Sequence, residues 1–265
     1  MNEYIIRGGA AGRERLRLLG RAMAPFTGAL FDDAGIATGA HVLDIGCGGG
    51  DVTQELARRV GASGRAIGID MDGVEIEIAR KEAAALGATN IEYRVGNVLT
   101  DGIGERFDTI YARFLLSHLA VPEQGLARMI ACLKPGGLLV VEDVDFSGHF
   151  CRPERASFTD YVRWYEQSAR RRGVDCLIGP RLPAMLADAG LDVLGARAVN
   201  PAAISGPVKE MAVATLAAIA DSVVESGVAS RGQVDAALAD LVEATADPRV
   251  FMSMPRVVQC WARLG

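Results

Sequence analysis

Short apolar runs alternate with amphipathic stretches between His41 and Phe146. The apolar runs are HVLDI, RAIGID, IEYRV, FDTIYA and LLVVEDV, and the stretches between them include DVTQELARRV, GVEIEIARKEAAALG and PEQGLARMIACL. Such runs predict strands and the amphipathic stretches predict helices. Because parallel neighbours need a connection long enough to hold a helix, the pattern predicts an α/β fold with a doubly wound, mainly parallel sheet and helices on both faces.

The flanking regions carry helical rather than alternating patterns. Residues 1–39 predict a helical cap, with apolar side chains at helical spacing on both sides of Pro25. After Phe146 the pattern predicts helices at Phe158–Arg172, Pro183–Gly190 and Pro207 to about Val242, and strands near 191–199 and 255–264. We therefore expect a core of residues 40–200 and 249–265 and a helical insertion at 203–248. The insertion could form a substrate lid or a packed helical hairpin, and the sequence leaves both interpretations open. We use the lid as the working interpretation.

Composition and charge exclude several classes of protein. The chain has 265 residues, of which 50% are hydrophobic and 23% charged, as is usual for a globular protein. The net charge of −5 argues against a nucleic-acid partner, which normally selects a basic surface. The five cysteines are widely spaced and include no C-x-x-C pair, which argues against disulfides and a metal cluster. This cysteine usage fits a reducing cytoplasm best. No apolar run is long enough to span a bilayer, so we expect no membrane partner.

A glycine-rich turn follows the first predicted strand, in VLDIGCGGGD from Val42 to Asp51. Such a turn lets backbone N–H groups and a helix N-terminus approach a ligand. The G-x-G-x-x-G spacing of a dinucleotide site fails from Gly46, because position 51 is Asp, and from Gly48, because position 53 is Thr. The turn also lacks the Gly-Lys-Ser/Thr of a phosphate-binding loop. The sequence therefore disfavours a pyrophosphate ligand.

The acid-x-Gly-x-Gly-x-Gly arrangement of Asp44, Gly46, Gly48 and Gly50 resembles the first motif of class I S-adenosylmethionine-dependent methyltransferases. The resemblance continues in order through GIDMD, VGNV, FDTIYARFLLSHL and LKPGGLLVVEDV. The opening segment around Tyr4 resembles a bacterial small-molecule branch of that superfamily. The resemblance implies a seven-stranded, mainly parallel sheet with an antiparallel last strand, and S-adenosylmethionine as cofactor.

The resemblance also implies which residues hold the cofactor. Gly46 and Gly48 are expected at its methionine portion, with Cys47 as a small residue whose backbone matters. Asp70 follows Gly48 by 22 residues and is expected to accept hydrogen bonds from both ribose hydroxyls. The other expected cofactor contacts are Tyr4, Asp44, Met71 and Val98, with Asn97 in place of the usual adenine-binding Asp and Arg113 at the methionyl end.

Candidates for the chemistry come from the region after the fourth predicted strand. Methyl transfer from a sulfonium is an in-line displacement, so alignment and exclusion of water are the main requirements, and a base is optional. His118 is the predicted base, because a histidine ordinarily titrates near neutrality. Glu142 at the end of the fifth strand and Tyr165 on an aromatic helix are further catalytic candidates, whereas His41 and His149 have a weaker claim.

The resemblance implies a methyltransferase that acts on an O, N or C atom of a small molecule. The element Tyr111-Ala112-Arg113-Phe114 lacks the motif with which relatives methylate amino groups of nucleic-acid bases. Two alternatives stay open: an enzyme that uses the cofactor for a rearrangement or cyclisation, and a non-catalytic cofactor-binding subunit. A homodimer is also left open.

Overall fold

The structure is a computed structural model, and it describes residues 10–265. The chain divides into two compact units. The sheet unit comprises Pro25–Asp143, Ile178–Ala198 and Val258–Gly265. The helical unit comprises Val144–Leu177, Val199–Val257 and, among its described residues, 10–24. Tyr4, a predicted cofactor contact, lies outside the described residues.

The strands and helices are numbered in chain order. The strands are β1 His41–Ile45, β2 Arg65–Asp70, β3 Ile91–Val95, β4 Phe107–Arg113, β5 Leu133–Asp145, β6 Cys151–Arg152, β7 Leu191–Val199, β8 Ala202–Ala203, β9 Phe251–Ser253 and β10 Arg256–Leu264. The helices are α1 Ala10–Ala34, α2 Asp51–Val60, α3 Gly73–Ala85, α4 Pro122–Ala131, α5 Ala156–Arg171, α6 Leu182–Asp188, α7 Pro207–Glu225 and α8 Arg231–Ala246.

Seven strands form one sheet in the order β3-β2-β1-β4-β5-β10-β7. The pairs β1–β2, β2–β3, β1–β4 and β4–β5 are parallel. The strand order reverses at β1, so β1 and β4 lie side by side and a crevice is expected at their carboxyl ends. The predicted doubly wound, mainly parallel seven-stranded sheet is confirmed. The antiparallel orientation of the last strand stays a prediction.

Alternate residues of the central strands build two cores, one on each face of the sheet. On one face Val42 and Val140 pack in a cluster with Leu30 and Phe31 of α1 and Leu56 of α2. The opposite face uses the neighbouring positions of the same strands, which pack with residues of α4 and α6: Leu43, Val141, Leu126, Met129 and Leu186. This alternation follows from the two-residue period of a strand, and it covers both faces with helices, as predicted.

Helix α1 runs without interruption through Pro25. Proline in a helix interior removes one backbone hydrogen bond and costs roughly 3 kcal/mol relative to alanine. The side chains of Leu30 and Phe31 after it are 0% and 1% exposed. Burial of two such side chains contributes on the order of 1.5–3 kcal/mol each, which is enough to offset the proline.

The helical unit combines α5, α7 and α8 with a small sheet. The order of this sheet is β6-β9-β8, and both of its strand pairs are antiparallel. Helix α8 begins with a capping box in which Ser230 and Gln233 satisfy each other's backbone N–H groups. Helices α7 and α8 lie where the sequence predicts a helical insertion. The interpretation of residues 203–248 as a substrate lid stays a prediction.

Candidate functional site

The loop from β1 to α2 adopts the left-handed backbone conformation that its glycines permit. Gly46, Gly48 and Gly50 have φ angles of 74°, 50° and 83°. At Gly50 a side chain is excluded, because a Cβ atom there would lie 2.3 Å from the hydroxyl oxygen of Tyr93. The N–H groups of Gly46 and Cys47 donate to the carbonyl of Ile69 at 2.8 and 3.1 Å, which fixes the loop against the end of β2.

Asp70 ends β2 and holds the same loop through its side chain. Its Oδ2 accepts from the N–H of Gly48 at 2.8 Å, and its Oδ1 accepts from the N–H of Asp72 at 2.9 Å. Burial raises the pKa of this carboxyl above its ordinary value. The backbone N–H of Met71 acts on the same carboxyl, so about one of its four acceptor positions is left for a ligand. The contact of Asp70 with the ribose hydroxyls stays a prediction.

Asp72, the residue weighed against Asp70 for the ribose contact, caps the next helix. Its side chain accepts from the N–H groups of Val74 and Glu75 in the first turn of α3. This is the ordinary role of an aspartate at a helix N-cap. The structure therefore accounts for Asp72 without a ligand.

Asp44 is 2% exposed at the base of the glycine loop. Its Oδ2 accepts from the hydroxyl of Thr53, in the first turn of α2, at 2.6 Å. Burial raises the pKa of this carboxyl to about 7, against a smaller opposing effect of the Thr53 hydrogen bond. Asp44 therefore ties the loop to α2, and its ionised form is stabilised when positive charge comes close.

Cys47 lies in the loop and is half-buried. Burial, and next to it the charge of Asp44, raise the pKa of the thiol well above its ordinary value. A protonated thiol is a poor nucleophile. The structure thus agrees with the interpretation of Cys47 as a small residue rather than a reactive one.

A partly open cavity lies beside the ends of β1, β2 and β3. It encloses about 420 Å³, open solvent included, and its lining includes Ile45, Ile69, Asn97, Val98, Asp101 and Ile103. Asn97 and Val98, two predicted cofactor contacts, both lie in this lining. The N–H of Gly96, directly before them, donates to the backbone carbonyl of Asp70 at 2.9 Å. Met71, whose side chain is 58% exposed, is available to cover a planar ring.

Asp101 is a cavity residue that the sequence analysis did not name. Its Oδ2 accepts from the N–H of Asn97 at 2.9 Å, while Oδ1 of Asn97 accepts from the N–H of Leu99. The methyltransferases that this sequence resembles usually have an aspartate at the position of Asn97. Here the carboxylate lies four residues later, at Asp101, and a comparison of position 97 alone does not find it.

Arg113 is the last residue of β4, and Phe114 follows it directly. Arg113 donates from Nη1 to the hydroxyl of Thr27 at 3.3 Å, and its guanidinium lies 5.8 Å from the ring centroid of Phe114. Phe114 has a φ of 53°, and it is the one non-glycine residue with positive φ within residues 10–265. Strained backbone of this kind concentrates at functional sites.

Glu142, a predicted catalytic residue, is buried within the sheet unit rather than placed at a substrate opening. It is 0% exposed, and its oxygens accept from the hydroxyl groups of Thr27 and Tyr111 and from the amide of Gln259, at 2.8, 2.5 and 2.5 Å. These donors come from α1, β4 and β10. The expectation that Glu142 lines a substrate mouth is corrected, because its acceptor positions face protein donors and water does not reach it.

The other catalytic candidates lie in different units. His118 ends a short 3₁₀ helix at Leu116–His118 directly after β4 and is half-buried. The N–H of Ser117, its neighbour, donates to Asp143 at 3.0 Å, which fixes this turn to the end of β5. Tyr165 belongs to the helical unit, where its ring stacks on Phe146 with centroids 4.0 Å apart.

The part of the chain that the structure describes contains neither a metal-binding cluster nor a membrane-spanning helix. Among residues 10–265, no group of three or more His, Cys, Asp or Glu side chains could hold a metal ion. None of the helices in this range is both long and apolar enough to cross a membrane.

Comparison with known proteins identifies the family. A family model described as a methyltransferase domain matches residues 36–172, which is more than half of the chain. The chain therefore belongs to this methyltransferase family, and the resemblance seen in the motifs is confirmed. Together with the glycine loop and Asp70, family membership identifies S-adenosylmethionine as the cofactor that this site fits.

The relatives agree with the family but match only part of their own length. A ubiquinone biosynthesis O-methyltransferase of Chelativorans sp. is 33% identical over 58% of this chain and 59% of that protein. The chain spans about half the length of the first curated relatives it matches.

Two solved structures show the same fold. A Bacillus halodurans structure described as a putative methyltransferase gives a TM-score of 0.62 at 19% identity, with 89% of this chain and 97% of that chain covered. The [4+2]-cyclase SpnF gives a TM-score of 0.57 at 20% identity, with 91% and 80% covered. At these identities the likeness concerns the fold alone.

Proposed function

We propose that this protein transfers the methyl group of S-adenosylmethionine to an O, N or C atom of a small molecule. The observation that carries the proposal is the hydrogen bond between Asp70 and Gly48, which joins the two elements that a nucleoside and its methionine portion would contact. The ubiquinone biosynthesis O-methyltransferase among the relatives supports a small-molecule substrate.

The bound cofactor would supply an electrophilic methyl group on a positively charged sulfur. On the protein side, Asp70 would accept from the ribose hydroxyls, and the cavity at Asn97, Val98 and Asp101 would receive the adenine. Asp44 and Arg113 lie at the loop and strand end where the amino and carboxylate groups of the methionine portion would be recognised. Gly46, Cys47 and Gly48 would provide the backbone surface beside it.

His118 is proposed as the group that accepts a proton from the substrate. Its support is its place in the turn directly after β4, since ligands of parallel α/β sheets bind at the carboxyl ends of the strands. Tyr165 is proposed to contact the substrate through its ring, because it already stacks within an aromatic cluster. Glu142 enters the proposal as a structural residue and not as a catalytic one.

The cysteines and the net charge support the proposed location and partner class. All five cysteines are free, which supports a reducing, cytoplasmic location. The net charge of −5 supports a small-molecule partner over a nucleic acid. A homodimer stays a prediction.

Methyl transfer is tested with S-adenosylmethionine that carries a deuterated methyl group. The purified protein is incubated with a panel of phenols, quinols and amines, and products are analysed by mass spectrometry. A product that carries the labelled methyl group, formed in equal amount to S-adenosylhomocysteine, supports the proposal. Calorimetry that shows no binding of S-adenosylhomocysteine would overturn it, and binding with conversion of a substrate but no methyl gain would favour the cyclisation alternative.

A further inference from the structure

Thr27 in the sheet unit lies between two groups of opposite charge, the carboxylate of Glu142 and the guanidinium of Arg113. Its hydroxyl donates to Oε1 of Glu142 at 2.8 Å and accepts from Nη1 of Arg113 at 3.3 Å. A hydroxyl can do both, because it carries one proton and two lone pairs. Among residues 10–265 no direct ion pair joins Arg113 to Glu142, so the Thr27 hydroxyl is what links the two charges.

Glu142 fixes the direction of this hydroxyl. It is 0% exposed, and it also accepts from the hydroxyl of Tyr111 and from the amide of Gln259, both at 2.5 Å. A carboxylate that is held by donors from α1, β4 and β10 has little freedom to move. Because the carboxylate only accepts, the proton of Thr27 points to Glu142 and the lone pairs of its hydroxyl face Arg113.

Arg113 keeps hydrogen-bond donors that the protein does not use. A guanidinium has five N–H groups, and within residues 10–265 the structure gives Arg113 one hydrogen bond, the one to Thr27. The side chain is half-buried, and its nitrogens are not among the unpartnered polar atoms that are sealed from solvent. The remaining N–H groups are therefore open to a ligand. Paired N–H groups of an arginine match the two oxygens of a carboxylate.

Arg113 also lies near the glycine loop. Ile45, the last residue of β1, pairs with Ala112 of β4, so Arg113 is level with the start of the loop. Burial raises the pKa of Asp44 at the base of this loop, and the charge of Arg113 is among the effects that oppose the rise. Ligands of parallel α/β sheets bind at these carboxyl ends of the strands.

We propose that Thr27 is a positioning residue, whose hydroxyl bridge to Glu142 holds the guanidinium of Arg113 ready for the carboxylate of the cofactor's methionine portion. A direct ion pair with Glu142 would occupy the paired N–H groups of Arg113. The bridge keeps the negative charge of Glu142 close to the guanidinium and leaves those N–H groups to the ligand. The inference rests on the proposed function, in which Arg113 recognises this carboxylate.

The test compares S-adenosylhomocysteine with decarboxylated S-adenosylhomocysteine, which lacks only the carboxylate. Isothermal titration calorimetry with the full chain should show S-adenosylhomocysteine bound at least about tenfold more tightly by the wild type, because hydrogen bonds between charged groups are strong. Thr27→Val keeps the size and branching of the side chain but lacks the hydroxyl, and it should lower this ratio at least about threefold. Thr27→Ser keeps the hydroxyl and should keep the ratio close to that of the wild type.

Tyr111→Phe is the matched control. It removes another hydroxyl donor from the same oxygen of Glu142, but the Tyr111 hydroxyl has no hydrogen bond to Arg113. Both variants therefore weaken the buried network, and thermal unfolding should show a loss of stability in both. Only Thr27→Val should change the ratio of the two affinities, because only Thr27 holds the guanidinium.

Arg113→Met gives a second measurement that leaves the bond between Thr27 and Glu142 in place. Its ratio should fall to about one. A wild-type ratio in Arg113→Met or in Thr27→Val, or an equal fall of the ratio in Thr27→Val and Tyr111→Phe, would overturn the inference. Methyl transfer would stand in each of these cases, because the wild type still binds S-adenosylhomocysteine. A wild type that does not bind S-adenosylhomocysteine at all would instead overturn the proposed function and this inference with it.

Discussion

The Asp70 carboxylate and the backbone N–H of Gly48 are joined by a hydrogen bond of 2.8 Å across 22 residues of the chain. One end of this bond is the acid of β2 and the other is the middle glycine of the loop after β1. The two parts of the candidate cofactor site therefore fix each other before any ligand arrives. Such preorganisation lowers the ordering cost of binding.

The first prediction concerns Asp70→Ala. The variant loses the charged acceptor for the ribose and the anchor of the Gly48 N–H, and hydrogen bonds to charged groups contribute on the order of 1.5–3 kcal/mol each. We expect the affinity for S-adenosylhomocysteine, measured by calorimetry, to fall at least about tenfold. Asp72→Ala should cost about 1 kcal/mol of stability as a lost cap and leave the affinity nearly unchanged. An unchanged dissociation constant for Asp70→Ala would remove Asp70 from the site.

The second prediction compares Gly50→Ala with Gly87→Ala. Both glycines have positive φ, 83° and 66°, so both variants pay about 1–2 kcal/mol of backbone strain. Only at Gly50 does the new Cβ meet Tyr93, whereas nothing lies within 4 Å of a Cβ at Gly87. Urea unfolding should show Gly50→Ala less stable than Gly87→Ala by a further 1–3 kcal/mol or so. Equal losses would mean that the loop relaxes away from Tyr93.

The third prediction concerns the pH dependence of stability. The pKa of Asp44 is about 7 in the folded protein and near 3.8 ordinarily, so the folded state holds a proton that the unfolded chain releases between these values. The contribution of Asp44 to the free energy of unfolding therefore falls as pH rises from about 4 to 7, by about 1.4 kcal/mol per pH unit at most, and levels off above 7. Asp44→Asn removes this contribution.

Urea unfolding at pH 5 and pH 7 measures the effect. Wild type should lose on the order of 2 kcal/mol more than Asp44→Asn between the two values. Other titrating groups are shared by the two proteins and cancel in the difference. Parallel pH dependences would show that Asp44 is ionised throughout.

The fourth prediction assigns Glu142 its role. Glu142→Ala leaves three buried donors, from Thr27, Tyr111 and Gln259, without their acceptor, and loss of one partner of a buried polar network costs about 3–5 kcal/mol. Glu123→Ala removes a carboxylate of an exposed ion pair with Arg181 and should cost under about 1 kcal/mol. Thermal unfolding compares the two. A Glu142→Ala protein with wild-type stability and no turnover would restore the catalytic assignment.

The fifth prediction concerns His118. If His118 is a general base, His118→Ala should lower turnover by roughly 10²–10⁴ and abolish the acidic limb of the pH–rate profile. The affinity for S-adenosylhomocysteine should stay close to that of the wild type. If His118 is instead a structural residue, His118→Ala should lower the melting temperature and have only a small, pH-independent effect on turnover. Wild-type turnover with an unaltered pH profile would end the base assignment.

The regular part of the fold was predictable because its signals are local. The two-residue period of β1 to β5 and the amphipathic helices between them lie in short windows of sequence. The helix cap at Asp72 before α3 and the glycine turn after β1 can likewise be predicted from a few adjacent residues. These elements also place Asp70 beside the loop, since neighbouring parallel strands end at the same edge.

The features that the sequence did not reveal depend on distant residues. β6, β8 and β9 have two or three residues each, too few for a period, and they exist because Cys151, Ala203 and Met252 meet in space. The donors to Glu142 are separated from it by 115, 31 and 117 positions, so no local pattern announces its burial. The same holds for the Thr27 hydroxyl, whose two partners lie 115 and 86 positions further along the chain.

Strand β3 ends the large sheet on one side, and two of its five residues are charged. Glu92 and Arg94 lie two positions apart, on the same face, and are ion-paired with Arg65 and Glu105. An edge strand offers open backbone groups to other chains, and charges on it oppose strand addition. The charges of Glu92 and Arg94 therefore oppose the pairing of β3 with a further strand at this edge of the sheet.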